Sequence, residues 1–225
     1  QDQGVISLEG GGSLHGTDID IPADISSAAF FLVGASIAPG SDLTLEHVGI
    51  NPTRDGVITI LRAMGANIEV LNERQVGGEP VADLRVRHAP LKGIEIPVEV
   101  VPLAIDELPA VLIAAACAEG VTVLQGAEEL RVKESDRIAG MAEGLSQLGI
   151  ENTVQPDGME VVGGDLSGGV IKTHHDHRIA MSFSIAALRA SDRIKISDCA
   201  HVSTSFPGFA DLALQMGLRL EVAEE

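Results

Sequence analysis

The sequence predicts an α/β (α+β) fold of three βαβαββ units related by pseudo-threefold symmetry, each with a buried central helix. Three observations carry that prediction. One order of signals is written three times along the 225 residues. The first helix of each copy is apolar nearly all round, a composition that suits burial on every side. Aromatic residues make up 2%, with no Trp or Tyr and with 25 glycines, so the core is built from Ala, Val, Ile and Leu on closely approaching helices.

Asp24 opens the first apolar helix, from Ile25 to Ile37; Asp106 opens the second, from Glu107 to Cys117; Asp176 opens the third, from His177 to Leu188. Short β-like runs follow at Leu43 to Leu45, Val121 to Leu124 and Ile194 to Ile196. A second, amphipathic helix then ends at Gly65, Gly149 or Gly217, so that the Asp-to-Gly spacings are 41, 43 and 41 residues. Strands are expected after each glycine, at Ile68 to Leu71, Glu151 to Val154 and Leu218 to Val222. Turn signals at Gly77-Gly78 and Pro156-Asp157-Gly158 make hairpins of the first two.

The return strands, Leu84 to Arg87 and Met159 to Val162, lead through Lys92-Gly93 to Ile94 to Pro97, and through Ser167 to Gly169 to Val170 to Lys172. The N-terminal stretch Val5 to Leu8, through Leu14-His15-Gly16 to Ile19 to Ile21, has the same shape and is expected to complete the third unit. A recurrence of 70 to 82 residues is longer than a solenoid repeat and points to one pseudo-symmetric domain. In such a domain the starts of the three buried helices converge on one face. Their aligned dipoles and exposed amides make that face attractive to anions.

At 45% hydrophobic the chain can bury a substantial core. Its net charge of −18 argues against a nucleic-acid footprint, which needs a basic face. An anion site must therefore be local and draw further positive charge from elsewhere. The longest apolar run, Leu108 to Ala118, is too short for the roughly 20 residues that cross a bilayer, so no membrane association is expected. Gln1-Asp2-Gln3-Gly4 has neither an initiator Met nor a cationic leader, and is read as the start of a cut or processed fragment. Cys117 and Cys199, 82 positions apart, build no disulfide framework and fit a reducing cytoplasm. Cys117, inside an apolar helix, is read as packing rather than as a nucleophile.

The chemistry-bearing stretch is Leu130 to Ile138. Arg131, Lys133, Glu134, Asp136 and Arg137 stand at what reads as a helix start, with Lys133 and Arg137 on one face. Helix N-termini disfavour cations, so something negative is expected nearby. The plainer reading is a pair of ordinary first-turn acids with solvated cations. Asp106 and Glu134 are candidate acid–base groups, with Lys133 and Arg137 pulling Glu134 toward ionisation and burial pushing it the other way. For Asp106 a helix N-cap is an equal alternative. In Lys172 to Arg178, three histidines with Asp176 offer metal-ligand types without a recognisable zinc spacing. His177 and Arg178 suit an anion better, the guanidinium being a bidentate donor.

These stretches, with Ala104-Ile-Asp-Glu-Leu-Pro upstream and Asp176-His-Arg-Ile-Ala-Met and Ser205-Phe-Pro downstream, resemble the EPSP synthase family over nearly the whole chain. The resemblance implies the enolpyruvyl transferase fold, with residues 1–225 as its C-terminal, phosphoenolpyruvate-side domain and the N-terminal domain absent. It implies transfer of the enolpyruvyl group of phosphoenolpyruvate to the 5-hydroxyl of shikimate 3-phosphate with release of phosphate. No metal or organic cofactor is implied. Asp106 and Glu134 would be catalytic, the first on the shikimate hydroxyls and the second toward the methylene carbon of phosphoenolpyruvate. Lys133 would bind the shikimate side, Arg137 and Arg178 phosphoenolpyruvate or the inhibitor glyphosate, and His177 would support them.

Two positions depart from part of the family. Thr204 stands where some members carry a Lys that contacts phosphate, and Glu129 where some carry Asn, so substrate contacts at both positions are in question. The family's N-terminal half supplies further cations, which agrees with the acidic balance and implies that this chain alone is inactive. A related enolpyruvyl transferase acting on UDP-N-acetylglucosamine and a non-catalytic anion-binding module are the alternatives.

Overall fold

The structure is a computed structural model and describes residues 7–223. In the first unit Asp24 caps α1 (Ile25–Ile37) by accepting the amides of Ser26 and Ser27. The chain continues through β1 (Asp42–Gly49), α2 (Gly56–Ala63), β2 (Asn67–Val76) and β3 (Glu79–Arg87). The three strands make an antiparallel sheet in the order β1-β3-β2. Leu45 and Val70 both lie opposite Leu84 in it.

The second unit repeats the pattern with α3 (Leu108–Ala116), β4 (Val121–Leu124), α4 (Arg137–Gln147), β5 (Asn152–Gln155) and β6 (Gly158–Val162). Its sheet order, β4-β6-β5, matches that of the first. In the third unit, β7 (Gly169–Lys172) and α5 (His177–Ala186) are followed by β8 (Ile194–Ser197), α6 (Val202–Ser205) and α7 (Phe209–Gln215). The βαβ step recurs as a parallel pairing in each unit: Ala23 with Val48, Glu95 with Val123, and β7 with β8.

Helices α1, α3 and α5 touch one another pairwise at the centre. All of α3 is buried, as is α1 apart from Ser27 and α5 from Ile179 onward. Small residues make this possible. At Gly144 of α4 an added Cβ would lie 2.2 Å from the Phe183 ring of α5, so α4 crosses α5 at a distance that only glycine permits. Phe206 and Phe209, on either side of the α6–α7 break, meet Phe31 of α1 at centroid distances of 6.2 and 6.0 Å. The Ser-Phe-Pro stretch is thereby tied to the core.

The third unit differs from the expectation. Leu218 to Val222 forms no strand, and within the described residues neither does Leu8 to Ile21; Val5 and Ile6 lie outside them. Leu8, Leu14, Ile19 and Ile21 are largely exposed. A strand needs a partner for its N–H and C=O groups, and among the described residues no ladder joins either segment to the other or to β8. Among the described residues this sheet has two strands where its counterparts have three. No helix among the described residues is long and apolar enough to cross a membrane.

Candidate active site

The starts of the three central helices lie together. Asp106 is not the cap of α3: that helix begins at Leu108 with Pro109 in its first turn, and Glu107 holds the cap position. Asp106 is left to point its carboxylate at cations. Lys133 Nζ and Arg137 Nη1 each stand 3.4 Å from Oδ1, and Arg54 Nη2 is 3.8 Å from Oδ2. Arg178 Nη1 donates to the Asp106 carbonyl at 2.9 Å. Burial alone would raise the Asp106 carboxyl, but the charges of Arg178, Lys133 and Arg137 together hold it below the usual carboxylate range.

Leu130 to Ile138 is not one continuous helix start. A 3-10 turn, Glu128–Val132, is followed by an irregular link at Lys133–Ser135, and α4 begins only at Arg137. Asp136 enforces this by accepting the Ala139 amide as N-cap, while Arg131 bonds Asp136 at 2.8 Å and reaches two carbonyls of the Gln155–Pro156 turn. Lys133 and Arg137 therefore share Asp106 rather than a helix face.

The anions required beside a cationic helix start are present. Arg137 is 1% exposed, and its Nε bonds Asp176, itself 0% exposed, at 2.8 Å. Its Nη2 pairs with Glu134, which is 51% exposed. Asp176 also accepts from the Ser135 hydroxyl at 3.0 Å and the Arg178 amide at 2.9 Å. Burial pushes the Asp176 carboxyl up, and its bond to Arg137 and that cation's charge outweigh the push.

His177 opens α5, half-buried, with its pKa lowered first by burial and then by the charge of Arg178, against Asp176 and Glu134. Lys133 is held protonated most strongly by Glu129, at the position that departs from part of the family. Asp106, Glu134, Lys133, Arg137, His177 and Arg178 thus come together. Thr204, exposed on α6, forms no hydrogen bond with them. Arg54, Ser26 and Glu107 belong to the same cluster and were not singled out from sequence. Arg54 follows Asn51-Pro52-Thr53 just before α2, a place equivalent to the stretch before α4, and the repeat was the one signal that pointed there.

No group of three potential metal ligands occurs among the described residues. His174 pairs with Glu143, His175 stacks edge-on with His201, and Asp176 is committed to Arg137. Cys117 closes α3, and burial pushes its thiol up to about 12, which leaves it inert as a nucleophile.

The profile of the EPSP synthase (3-phosphoshikimate 1-carboxyvinyltransferase) family matches residues 1–212. A 3-phosphoshikimate 1-carboxyvinyltransferase of Alkalilimnicola ehrlichii is 68% identical over 216 residues, which is 96% of this chain and 48% of that protein. One from Methylococcus capsulatus is 64% identical, over 97% of the chain and 50% of the relative. The chain spans about half the length of the curated relatives it matches. A solved EPSP synthase of Acinetobacter baumannii superposes with a TM-score of 0.92 at 56% identity, covering 97% of this chain and 53% of that one. The enolpyruvyl transferase NikO of Streptomyces tendae shares the fold at a TM-score of 0.67 and 17% identity. With a family profile spanning nearly all of it, and relatives this similar, the chain belongs to the EPSP synthase family.

Proposed function

We propose that residues 1–225 are the C-terminal, phosphoenolpyruvate-side domain of an enzyme that moves the enolpyruvyl group of phosphoenolpyruvate to the 5-hydroxyl of shikimate 3-phosphate, releasing phosphate. One observation carries this reading. A chain of net charge −18 gathers Arg54, Lys133, Arg137 and Arg178 around Asp106 at the meeting of three helix starts, with Glu134 half-exposed beside them. Such a place suits a small, highly charged anion that must exchange protons. Arg137 and Arg178 take the phosphoenolpyruvate anion or its competitor glyphosate, Lys133 faces the shikimate side, and His177 supports them, neutral, from the start of α5.

Asp106, kept ionised by its cations, accepts the proton of the attacking hydroxyl and gives it up to the departing phosphate. Glu134, the more accessible acid, gives a proton to the methylene carbon and later recovers it. With Thr204 carrying no charge, the phosphate side of this half is the poorer in cations, and a complementary N-terminal domain supplies the remainder. No step calls for a metal or an organic cofactor. A cytoplasmic setting, with both thiols reduced, agrees with this chemistry.

The test is complementation. Residues 1–225 mixed with the complementary half of a family member are expected to release phosphate from shikimate 3-phosphate plus phosphoenolpyruvate, and a folded mixture that stays inert counts against the reading. In the restored enzyme, Glu134→Gln is expected to lower kcat by about 10² or more while leaving phosphoenolpyruvate binding within a few-fold. Unchanged turnover would remove Glu134 from its role.

A further inference from the structure

Glu107 lies behind the site and has no part in the chemistry above. It is 1% exposed against 25% for the adjacent Asp106. Its Oε1 accepts the hydroxyl of Ser26 in the first turn of α1, with Arg54 Nη2 at 3.5 Å and Arg178 Nη1 at 3.9 Å. Arg54 Nη2 also donates to Ser26 Oγ at 3.0 Å, so guanidinium, hydroxyl and carboxyl form a chain. Its Oε2 is buried and meets no donor among the described residues. One carboxyl thus joins the first unit through Ser26 and Arg54 and the third through Arg178, while standing in the second.

A carboxylate this deep is costly to desolvate, and replacing buried ionic groups by apolar ones is often neutral or stabilising. What an apolar residue cannot do is set two guanidiniums. Arg54 and Arg178 both reach Asp106, the first at its carboxylate and the second at its carbonyl, so their separation across the site depends on the group between them.

We propose that Glu107 is a positioning residue for anion binding: it holds Arg54 and Arg178, from two different units, at a fixed spacing, and so makes Arg54 a further contact for phosphoenolpyruvate. The inference rests on the enolpyruvyl-transfer reading above. Burial raises the Glu107 pKa, and the Ser26 hydroxyl and the two guanidiniums counter the rise.

The experiment uses the full-length enzyme, this chain with its complementary half. Glu107→Gln keeps the volume and an acceptor for Ser26 while removing the charge. It is expected to raise the KM for phosphoenolpyruvate about tenfold or more and to leave the KM for shikimate 3-phosphate within about twofold. A phosphoenolpyruvate KM within about twofold of the parent overturns the proposal, even if the melting temperature falls, since a purely structural clasp would behave that way. If Glu107→Gln does not fold, Ser26→Ala, which removes the bridging hydroxyl and leaves Arg54 only its 3.5 Å contact with Glu107, must raise the same KM about threefold or more, and an unchanged value overturns the proposal.

A parent enzyme without turnover defeats the enolpyruvyl reading separately. Calorimetric binding of inorganic phosphate to the parent and to Glu107→Gln then decides the positioning role: weaker binding by the variant supports it, and equal binding overturns it.

Discussion

Arg137 and Asp176 form a pair sealed inside the protein, 39 residues apart in sequence. Removing the Asp176 charge takes away the one fully buried counter-charge of Arg137 and leaves the partly exposed Asp106 and the half-exposed Glu134 to face it. Asp176→Asn is therefore expected to cost about 3–5 kcal/mol of stability by urea denaturation, and a loss under about 1 kcal/mol would contradict this account of the pair. The same cluster fixes a pH dependence. Asp106 and Asp176 have folded-state pKa values below the ordinary range, so their stabilisation is present above the unfolded value near about 3.9 and is lost as pH falls through the folded values.

His177 acts at higher pH in the same direction. Its folded pKa lies below 6.5, so an unfolded chain binds a proton that the folded one refuses, and stability falls as pH drops below 6.5 toward the folded value. The charged groups that set it are Arg178, Asp176, Glu134 and Arg137. The prediction is that His177→Asn loses less stability than the parent between about pH 7 and pH 5.5 by denaturant titration, whereas identical losses would exclude His177 as the titrating group.

The residue types at this site were legible; their pairings were not. Asp106, Lys133, Glu134, Arg137, His177 and Arg178 stood out by charge and by place at helix starts, and the structure brings them together. Arg54 and Glu107 did not. Each reads locally as an ordinary polar residue, and their shared partner Ser26 lies 28 and 81 residues away.

At the scale of elements, the apolar helices and their aspartate and glycine boundaries were readable because caps and periodicity act over a single turn. α4 starts later than its charge pattern suggests. Cations and acids from Arg131 to Asp136 look like a first turn, but the Asp136 side chain can cap only the amides that follow it, so the helix waits for Arg137. The close crossing of α4 over α5 gives a test of packing. Gly144→Ala would drive a methyl into the Phe183 ring and is expected to cost about 1–3 kcal/mol by thermal or urea unfolding. The double variant with Phe183→Leu should recover part of that loss. A neutral Gly144→Ala would mean that α4 and α5 are not packed as described.

For the whole molecule, pseudo-symmetry is followed twice in full and once in part. The first two units have three-stranded sheets, while among the described residues β7 and β8 pair only with each other. Two strands alone are marginal in water. In residues 1–225 the amides of β7 and β8 are expected to exchange with solvent faster than those of β3 and β6, the central strands of the other sheets, as read by hydrogen-exchange mass spectrometry. Equal protection in all three would show that the third sheet is stabilised by something other than strand pairing.

The sequence by itself determined the kinds of element, their threefold order, the buried character of α1, α3 and α5, and the concentration of charge at three helix starts. Each of these follows from interactions within a few residues or from a repeated period. Only the tertiary structure decided that Asp106 answers four cations, that Arg137 is sealed against Asp176, that Glu107 bridges three units, and that Leu218 to Val222 forms no strand. The physical reason is reach. An ion pair or a strand pairing forms only when packing brings distant segments within a few ångströms, and no local spacing encodes that approach.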